Sequence, residues 1–272
     1  MTYLQNLHTH TTYCDGKNSP EEIILEAVKK GFDSIGFSGH SYMPFKTDYA
    51  MTPGKTIEYK KEIRFLKEKY KNQINVCCGI EWDIFSKCSL AEYDYIIGSL
   101  HYLDIDGEAV EFDCSVNRVK EIIHTYFNGN GMEYAKQYYK QLADFGHWGQ
   151  VDIVGHFDLI SKHSEKIKLF DEESKEYKRY ALEAIESIAS KTKLFEVNTG
   201  AIARGYRTTP YMTPYMLKEI KRRNCGVVIS SDCHDKKYLD CHFEKTKKML
   251  SECGFKEHYV LIDKKFVEIP VI

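Results

Sequence analysis

Residues of the kinds that bind metal ions lie close together near the start of the sequence. The segment HTHTTYCDG places His8, His10 and Asp15 directly after a short apolar run. Side chains two positions apart on an extended segment point to the same side, so the two histidines can bind one ion. Because a single H-x-H pair is common by chance, a metal site here requires further ligands elsewhere in the chain.

Histidine and carboxylate side chains recur at the ends of five later apolar runs. Any one of them could instead be a capping or core residue, so the repetition is the informative feature. Imidazole and carboxylate ligands suit Zn²⁺, Mn²⁺ or Fe²⁺, whereas no cysteine is spaced to form a thiolate site. The nine candidate metal ligands are His8, His10, Asp15, His40, Glu81, His101, His156, Asp232 and His234.

The alternation of short apolar runs with longer amphipathic stretches predicts strands alternating with helices. Strands are predicted at residues 4–8, 34–38, 74–80, 95–100, 153–156, 194–198 and 227–230, with a last extended segment at 259–269. Helices are predicted from residue 20, at 57–70, twice within 117–145, and at 171–189, 214–223 and 243–253. This order favours an α/β fold, a parallel (β/α) barrel of seven units, over a bundle or a sandwich. No linker or repeat interrupts it, so we expect one domain over residues 1–272.

The topology of such a barrel would bring the candidate ligands together. They follow six of the predicted strands, and the carboxyl ends of parallel barrel strands meet at one mouth, where this fold places its active sites. We expect the five histidines in helical or loop patterns to lie on the surface. They are His124, His147, His163, His242 and His258.

Composition limits the possible functions. The chain has 38 lysines and arginines against 40 acids, a balance that argues against a nucleic-acid partner recognised through bulk charge. Its nine cysteines form no C-x-x-C pair, which favours free thiols in a reducing compartment. No leader pattern and no run of roughly 20 apolar residues is present, so we expect a cytoplasmic protein with no membrane partner.

Segments around the candidate ligands resemble the PHP (polymerase and histidinol phosphatase) family, and within it the histidinol-phosphatases most closely. The matching segments, in chain order, are HTHTTYCDG, FSGHS, GIEWD, GSLHY, VGHFDLI, EVNTG and SSDCH. The resemblance implies a distorted seven-stranded TIM-like (β/α) barrel with two or three divalent ions at its mouth. It further implies a first ion on His8, His10, Glu81 and Asp232, a second on Glu81, His101 and His156, and a third on Asp15, His40 and His234. Some family members have a histidine at the position of Asp15.

Such a cluster suits phosphate ester hydrolysis. Two ions about 3.5–4 Å apart lower the pKa of a bridging water and stabilise the charge of an in-line displacement at phosphorus. We therefore expect a metal-bridging hydroxide near Glu81 to attack phosphorus, with Glu81 and Asp232 as the catalytic carboxylates. The resemblance implies L-histidinol phosphate as the substrate, L-histidinol and phosphate as products, and histidine biosynthesis as the setting.

The predicted substrate-binding residues are cations. Arg204 and Arg207 could each form a fork on a phosphate group, or both could be solvated loop residues. Lys162 stands near a position where some family members carry arginine, and it could replace that residue as a point charge. Four aromatic residues next to ligands could line the pocket or equally pack in the barrel, namely Tyr42, Trp82, Tyr102 and Phe157.

Several alternatives remain open at this level. A broader phosphatase, or a nuclease or phosphodiesterase of the PHP type, would use the same metals. A metal-dependent amidohydrolase also begins with H-x-H on a barrel, and a binding module could carry structural metals, although structural sites are usually closed by four ligands. The sequence leaves the oligomeric state open.

Overall fold

A parallel sheet of seven strands forms the centre of this computed structural model, which describes residues 3–146 and 148–271. The strands of the chain are β1 (Gln5–Asn6), β2 (Ser34–Phe37), β3 (Asn75–Asp83), β4 (Tyr95–Ser99), β5 (Tyr102–Ile105), β6 (Glu108–Glu111), β7 (Ile153–Val154), β8 (Leu194–Asn198), β9 (Gly226–Ser230), β10 (Glu257–Ile262) and β11 (Lys265–Pro270). The sheet order is β1-β2-β3-β4-β7-β8-β9. Each of the seven predicted strands has its counterpart in this sheet.

The two edges of the sheet approach each other and nearly close it into a barrel. A parallel bridge joins Thr9 to Cys233 just beyond β1 and β9. The Cys233 amide donates to the His8 carbonyl at 3.0 Å, and the His10 amide donates to the Cys233 carbonyl at 2.9 Å. The predicted seven-stranded (β/α) barrel is confirmed.

Helices connect most of the barrel strands. They are α1 (Pro20–Lys29), α2 (Pro53–Tyr70), α3 (Val116–Phe127), α4 (Gly131–Asp144), α5 (Lys175–Ala189), α6 (Gly200–Ala203), α7 (Pro214–Arg222) and α8 (Phe243–Glu252). The starts of α2 and α5 differ from prediction by four residues because hydroxyl caps set them. Thr52 accepts a hydrogen bond from the Lys55 amide at 3.2 Å, and Ser174 accepts one from Tyr177 at 3.1 Å. The connection from β3 to β4 contains no helix, which distorts the regular alternation.

The interior of the barrel is filled by a hydrophobic cluster that is separate from the hydrophobic layer between the sheet and the helices. Its members are Leu7, Cys77, Tyr95, Ile97, Ile153, Leu194, Val228 and Leu261. Tyr95 crosses from β4 toward β1 and β2, and its hydroxyl donates to the Phe37 carbonyl at 3.1 Å. Glycine is required where this ring passes, because a Cβ atom at Gly79 would lie 2.3 Å from the Tyr95 Cζ atom.

We expect Gly79→Ala to lower the free energy of unfolding by ~1–3 kcal/mol, because the added methyl group would overpack the barrel interior. Urea denaturation followed by circular dichroism would measure the change. Gly149→Ala is the matched control, since a Cβ atom there would meet no atom of the described residues within 4 Å, its two chain neighbours apart. Equal stability of Gly79→Ala and the wild-type protein would contradict this account of the packing.

The last segment differs from prediction. Instead of one extended segment at 259–269, β10 and β11 form an antiparallel hairpin. Its turn residues Asp263 and Lys264 both have positive φ, at 49° and 62°. Neither is a glycine, the residue that would have indicated the turn in the sequence. The Gln5 side chain accepts a hydrogen bond from the Leu261 amide at 2.7 Å and donates one to the Leu261 carbonyl at 2.8 Å. The hairpin thus covers the end of the barrel opposite the mouth.

A second hairpin, β5 with β6, was not predicted either. Its turn is Asp106–Gly107, with φ of 53° and 87°, a dipeptide that is a strong hairpin signal in sequence. This hairpin follows β4 directly and leads the chain past the mouth of the barrel.

The prediction that the five further histidines lie on the surface is correct only in part. His124 is exposed and His242 is half-buried, but His163 and His258 are buried, so the prediction is wrong for these two. The His163 Nε2 atom lies 2.9 Å from the Cys114 carbonyl, and burial lowers the pKa of His258 to about 4. His147 lies outside the described residues.

Two further findings concern partners and redox state. Across the described ranges, no helix has both the length and the apolar character needed to cross a bilayer. All nine cysteines carry free thiols.

Candidate metal centre

The structure brings all nine candidate ligands together at the mouth of the barrel. The Glu81 carboxylate lies at the centre, and its side chain is only 1% exposed. Five imidazole nitrogens lie within 3.5 Å of its oxygens: on Oε1, His156 Nε2 at 2.8 Å and His101 Nε2 at 3.3 Å; on Oε2, His40 Nδ1 at 2.9 Å, His8 Nε2 at 3.3 Å and His10 Nε2 at 3.5 Å.

Two aspartates complete the cluster. The Asp232 Oδ1 atom lies 3.2 Å from His10 Nε2, 3.6 Å from His8 Nε2 and 3.5 Å from His234 Nδ1. Asp232 has a φ of 46°, in the left-handed region that few residues other than glycine adopt. The second aspartate is Asp15, whose Oδ2 atom lies 3.2 Å from His234 Nε2.

The ligand atoms fall into three overlapping groups, within each of which they lie no more than 4.8 Å apart. The groups are His8 with His10 and Asp232; His40 with Glu81 and His101; and Asp15 with His10, His40 and His234. Compared with the expected ligand sets, His10 and His40 are each shared between two groups. His156 approaches the cluster through Glu81.

The environment of three ligand atoms fits bound divalent cations. Glu81 Oε2, His8 Nε2 and His10 Nε2 are buried and have no hydrogen-bond partner among the described residues. Leaving buried polar atoms unsatisfied costs free energy, and more so for a charged group. A cation between these atoms would satisfy all three. The donor set of imidazoles and carboxylates suits two or three ions such as Zn²⁺, Mn²⁺ or Fe²⁺.

The electrostatics of the centre keep its carboxylates ionised. Burial alone would raise the pKa of Glu81, but the imidazoles of His40 and His8 outweigh it and hold the pKa well below its usual range. Burial would also raise the pKa of Asp232. The Arg204 guanidinium makes the largest contribution that lowers it, and this pKa too is well below its usual range. Both groups are therefore anionic, as metal ligands must be.

A cavity of about 200 Å³ opens above the cluster. Besides seven of the candidate ligands it is lined by Tyr49, Glu111, Asp113, Leu159, Lys162, Arg204 and Tyr206. The aromatic residues of the lining are thus Tyr49 and Tyr206. The four aromatic residues singled out in the sequence (Tyr42, Trp82, Tyr102 and Phe157) are not part of it.

The three predicted substrate-binding cations differ in their placement. Arg204 lines the cavity and donates to the Asp232 carboxylate at 2.9 Å and to its carbonyl at 3.1 Å. Lys162 also lines it, with Nζ 2.7 Å from the Asp113 carboxylate and 4.6 Å from the centre of the Tyr206 ring. The structure does not bring Arg207 into the cavity, because its guanidinium is buried and donates to the Ser161 carbonyl at 2.7 Å.

Comparison with known proteins supplies the family. Residues 6–200 match the family described as "PHP domain". The chain belongs to the PHP family. This PHP chain is 29% identical to a protein named histidinol-phosphatase from Bacillus subtilis (strain 168), over 84% of this chain and 92% of the relative. It is 25% identical to a probable histidinol-phosphatase from Schizosaccharomyces pombe, over 91% of this chain and 86% of the relative.

A solved PHP-type structure shares the fold along the whole chain. It is histidinol phosphate phosphatase from Lactococcus lactis subsp. lactis Il1403, complexed with Zn, L-histidinol and phosphate. The TM-score is 0.73 at 20% identity, and the match covers 97% of this chain and 98% of the other.

Two carboxylates that orient the histidines of this PHP centre were not predicted. Asp83 accepts a hydrogen bond from the His101 amide at 3.0 Å and lies 3.0 Å from His101 Nδ1. Glu196 lies 2.6 Å from His8 Nδ1. Each contact leaves Nε2 of the imidazole facing the cluster, the arrangement typical of carboxylates that support metal-bound histidines. Asp83 is two residues from Glu81, a spacing that could have suggested its role.

Removal of either charge should weaken metal binding. We expect Asp83→Asn and Glu196→Gln each to raise the metal dissociation constant about 10–100-fold, since such carboxylates fix ring orientation and ligand basicity. Calorimetric titration of the metal-free protein with Zn²⁺ would measure it. Asp152→Asn is the matched control. The Asp152 carboxylate also accepts a hydrogen bond from a backbone amide, that of Ile96 at 2.8 Å, but it lies just before β7, at the opposite end of the barrel from the metal centre. Unchanged Zn²⁺ affinity in both test variants would refute the assignment.

Proposed function

We propose that this PHP protein is a metal-dependent phosphomonoesterase that hydrolyses L-histidinol phosphate to L-histidinol and phosphate, a step of histidine biosynthesis. The observation that carries the chemistry is the set of buried, unpartnered ligand atoms around Glu81 at the floor of a cavity lined by two cations. The substrate is supported by the relatives named histidinol-phosphatase and by the Lactococcus lactis protein, whose structure contains L-histidinol and phosphate.

We take the metal ligands in this proposal from the expected ligand sets. His8, His10, Glu81 and Asp232 would hold one ion, Glu81 with His101 and His156 a second, and Asp15 with His40 and His234 a third. This assignment is supported by three groupings of ligand atoms: His8 with His10 and Asp232, Glu81 with His101, and Asp15 with His40 and His234. When bound, divalent ions supply a hydroxide nucleophile at neutral pH and neutralise charge on the phosphoryl oxygens. Zn²⁺ is supported by its presence in the Lactococcus lactis structure, and the donor atoms also suit Mn²⁺ or Fe²⁺.

The protein's own side chains bind and orient the ester. Glu81 and Asp232, both anionic, fix the ligand geometry from the centre of the cluster. Lys162 and Arg204 contact the phosphate oxygens, since both line the cavity. A carboxylate holds each of them in the cavity wall, Asp113 for Lys162 and Asp232 for Arg204. Charge-assisted hydrogen bonds of this kind are stronger than neutral ones and are suited to a phosphate dianion.

The remaining lining of the cavity favours a substrate with a positively charged organic part. Glu111 is the last residue of β6 and Asp113 lies two residues beyond it, and burial together with the charge of Asp113 raises the Glu111 pKa. L-Histidinol phosphate carries an ammonium group and an imidazole that such carboxylates can bind. A sugar phosphate has neither group.

The thiols support a cytoplasmic setting for the enzyme. Nine free cysteines fit a reducing cytoplasm, where disulfides are rare. We place the activity in one metallo-phosphoesterase domain over the whole chain, because ligands from His8 to His234 belong to one cluster.

The decisive experiment compares substrates. Phosphate release from L-histidinol phosphate would be measured against sugar phosphates, nucleotides and a single-stranded oligonucleotide, with Zn²⁺- or Mn²⁺-loaded protein. We expect kcat/KM for L-histidinol phosphate to exceed that of the other esters by about a hundredfold or more, as polar recognition of the organic part permits. Similar rates on many esters would indicate a broader phosphatase, and cleavage of the oligonucleotide would indicate a nuclease.

A further inference from the structure

Two surface loops beside the cavity are joined by an unusually dense set of polar contacts. One is residues 161–166, which follow β7 and carry Lys162; the other is residues 205–209, which follow α6 and the cavity-lining Arg204. We call these two segments the paired loops. Their connections come from the side chains of Arg207, Glu165 and Lys166.

Arg207 makes the most contacts between the paired loops. Its Nη1 atom donates to the Ser161 carbonyl at 2.7 Å, to the Ser161 hydroxyl at 2.6 Å and to the Ser164 hydroxyl at 3.3 Å. Ser161 directly precedes Lys162, so these bonds hold the backbone from which the lysine extends. The Arg207 residue is 6% exposed and does not line the cavity.

Glu165 and Lys166 reach across in the other direction. The Glu165 carboxylate accepts from the Thr208 amide at 2.7 Å and from the Thr209 hydroxyl at 2.9 Å. The Lys166 ammonium donates to the Gly205 carbonyl at 2.6 Å. Thus each loop contributes charged groups that bind the other loop's backbone, and a shift of either loop alone would break several of these contacts.

The end of the Lys162 side chain is held separately from its backbone. Its ammonium binds Asp113 at 2.7 Å and lies over the ring of Tyr206, a member of the second loop. Burial would raise the Asp113 pKa, but Lys162 outweighs it and lowers that pKa to about 2, so the pair is ionic at neutral pH. The lysine therefore depends on both loops for its position.

We propose that Arg207 is a positioning residue: it binds no substrate itself, but through the paired loops it fixes Lys162 in the cavity wall at the correct distance for a phosphate group. The inference rests on the proposed function for the role of Lys162 as a phosphate contact. A flexible lysine side chain has a single point charge and many rotamers, so holding its backbone and its Asp113 and Tyr206 contacts reduces the entropy lost on binding.

The test is a double-mutant cycle with inorganic phosphate as the probe. Phosphate binding to the Zn²⁺-loaded wild-type protein would be compared with Arg207→Gln, Lys162→Ala and the double variant. We expect Arg207→Gln to weaken phosphate binding about tenfold in the wild-type background, and less than about twofold when Lys162 is already absent, because coupled residues are non-additive. Steady-state kinetics on L-histidinol phosphate should show a raised KM and a nearly unchanged kcat.

Controls separate positioning from general loss of structure. Arg223→Gln removes an arginine that pairs with Glu219 and Glu186 far from the cavity, and it should leave phosphate binding unchanged. Zn²⁺ content and thermal melting are measured for every variant. Should Arg207→Gln fail to fold, Glu165→Gln is the second variant, because it weakens the contacts between the paired loops at a more exposed side chain. It should weaken phosphate binding about threefold, again only when Lys162 is present.

The outcomes distinguish this inference from the proposed function. Additive effects of Arg207→Gln and Lys162→Ala, or unchanged phosphate binding in Arg207→Gln or in Lys162→Ala, would overturn the inference. If the wild-type protein hydrolyses no L-histidinol phosphate yet shows the predicted coupling for inorganic phosphate, the positioning role is supported and the substrate assignment alone is wrong.

Discussion

Replacing Glu81 with glutamine is expected to remove bound metal and hydrolytic activity together. The carboxylate lies within 3.5 Å of five imidazole nitrogens, and its Oε2 atom has no hydrogen-bond partner among the described residues. A neutral amide cannot bridge cations in its place, so kcat should fall about 10³-fold or more, equivalent to ~4 kcal/mol of barrier. Phosphate release and metal content by mass spectrometry would be measured on the same preparation.

The control for this substitution is Glu62→Gln. Glu62 is a half-buried carboxylate on α2 that accepts a hydrogen bond from the Tyr13 hydroxyl, away from the cavity lining. It should retain wild-type metal content and activity within about twofold, as expected for a substitution outside the site. Full turnover by purified Glu81→Gln would refute the central role given to Glu81.

Stripping the metals with a chelator should abolish activity and also destabilise the fold. Without cations, the buried atoms Glu81 Oε2, His8 Nε2 and His10 Nε2 at the mouth of the barrel have no hydrogen-bond partner among the described residues. Restoring Zn²⁺ to about a thousand times its dissociation constant should raise the free energy of unfolding by ~4 kcal/mol through preferential binding to the native state. For a chain of this size that corresponds to a rise in Tm of roughly 10 °C.

Scanning calorimetry of the metal-free and reconstituted protein would measure this shift. The Glu81→Gln variant serves as the comparison, since it should show little gain in Tm on addition of Zn²⁺. A metal-free protein that melts at the same temperature as the reconstituted one would mean that the ligand atoms are not the source of a stability penalty.

The candidate ligands of the site were accessible from the sequence because two simple periodicities act together. Strand side chains alternate, so His8 and His10 face one way, and parallel strands align their carboxyl ends, so residues far apart, such as Glu81 and Asp232, meet. Neither rule requires knowledge of how loops fold. The seven barrel strands were predictable for the same reason.

The cationic residues predicted to bind substrate were less accessible from the sequence, because they lie on loops shaped by tertiary contacts. Arg204 and Arg207 are three residues apart in similar sequence surroundings, yet one lines the cavity and the other is buried against Ser161. Composition and spacing do not distinguish them, since the difference arises from how the chain leaves α6. The turn at Asp263 and Lys264 was missed for a related reason: both residues have positive φ, and no glycine marks the turn in the sequence.

The C-terminal hairpin has a consequence for the order in which the protein can mature during synthesis. Gln5, in the first strand, binds Leu261, 256 positions later, and Leu261 completes the cluster inside the barrel. Contacts between such distant residues form slowly and only after both partners exist. A nascent chain therefore holds its first strand without this apolar neighbour until the ribosome has passed Leu261, and part of the barrel interior stays exposed during that interval.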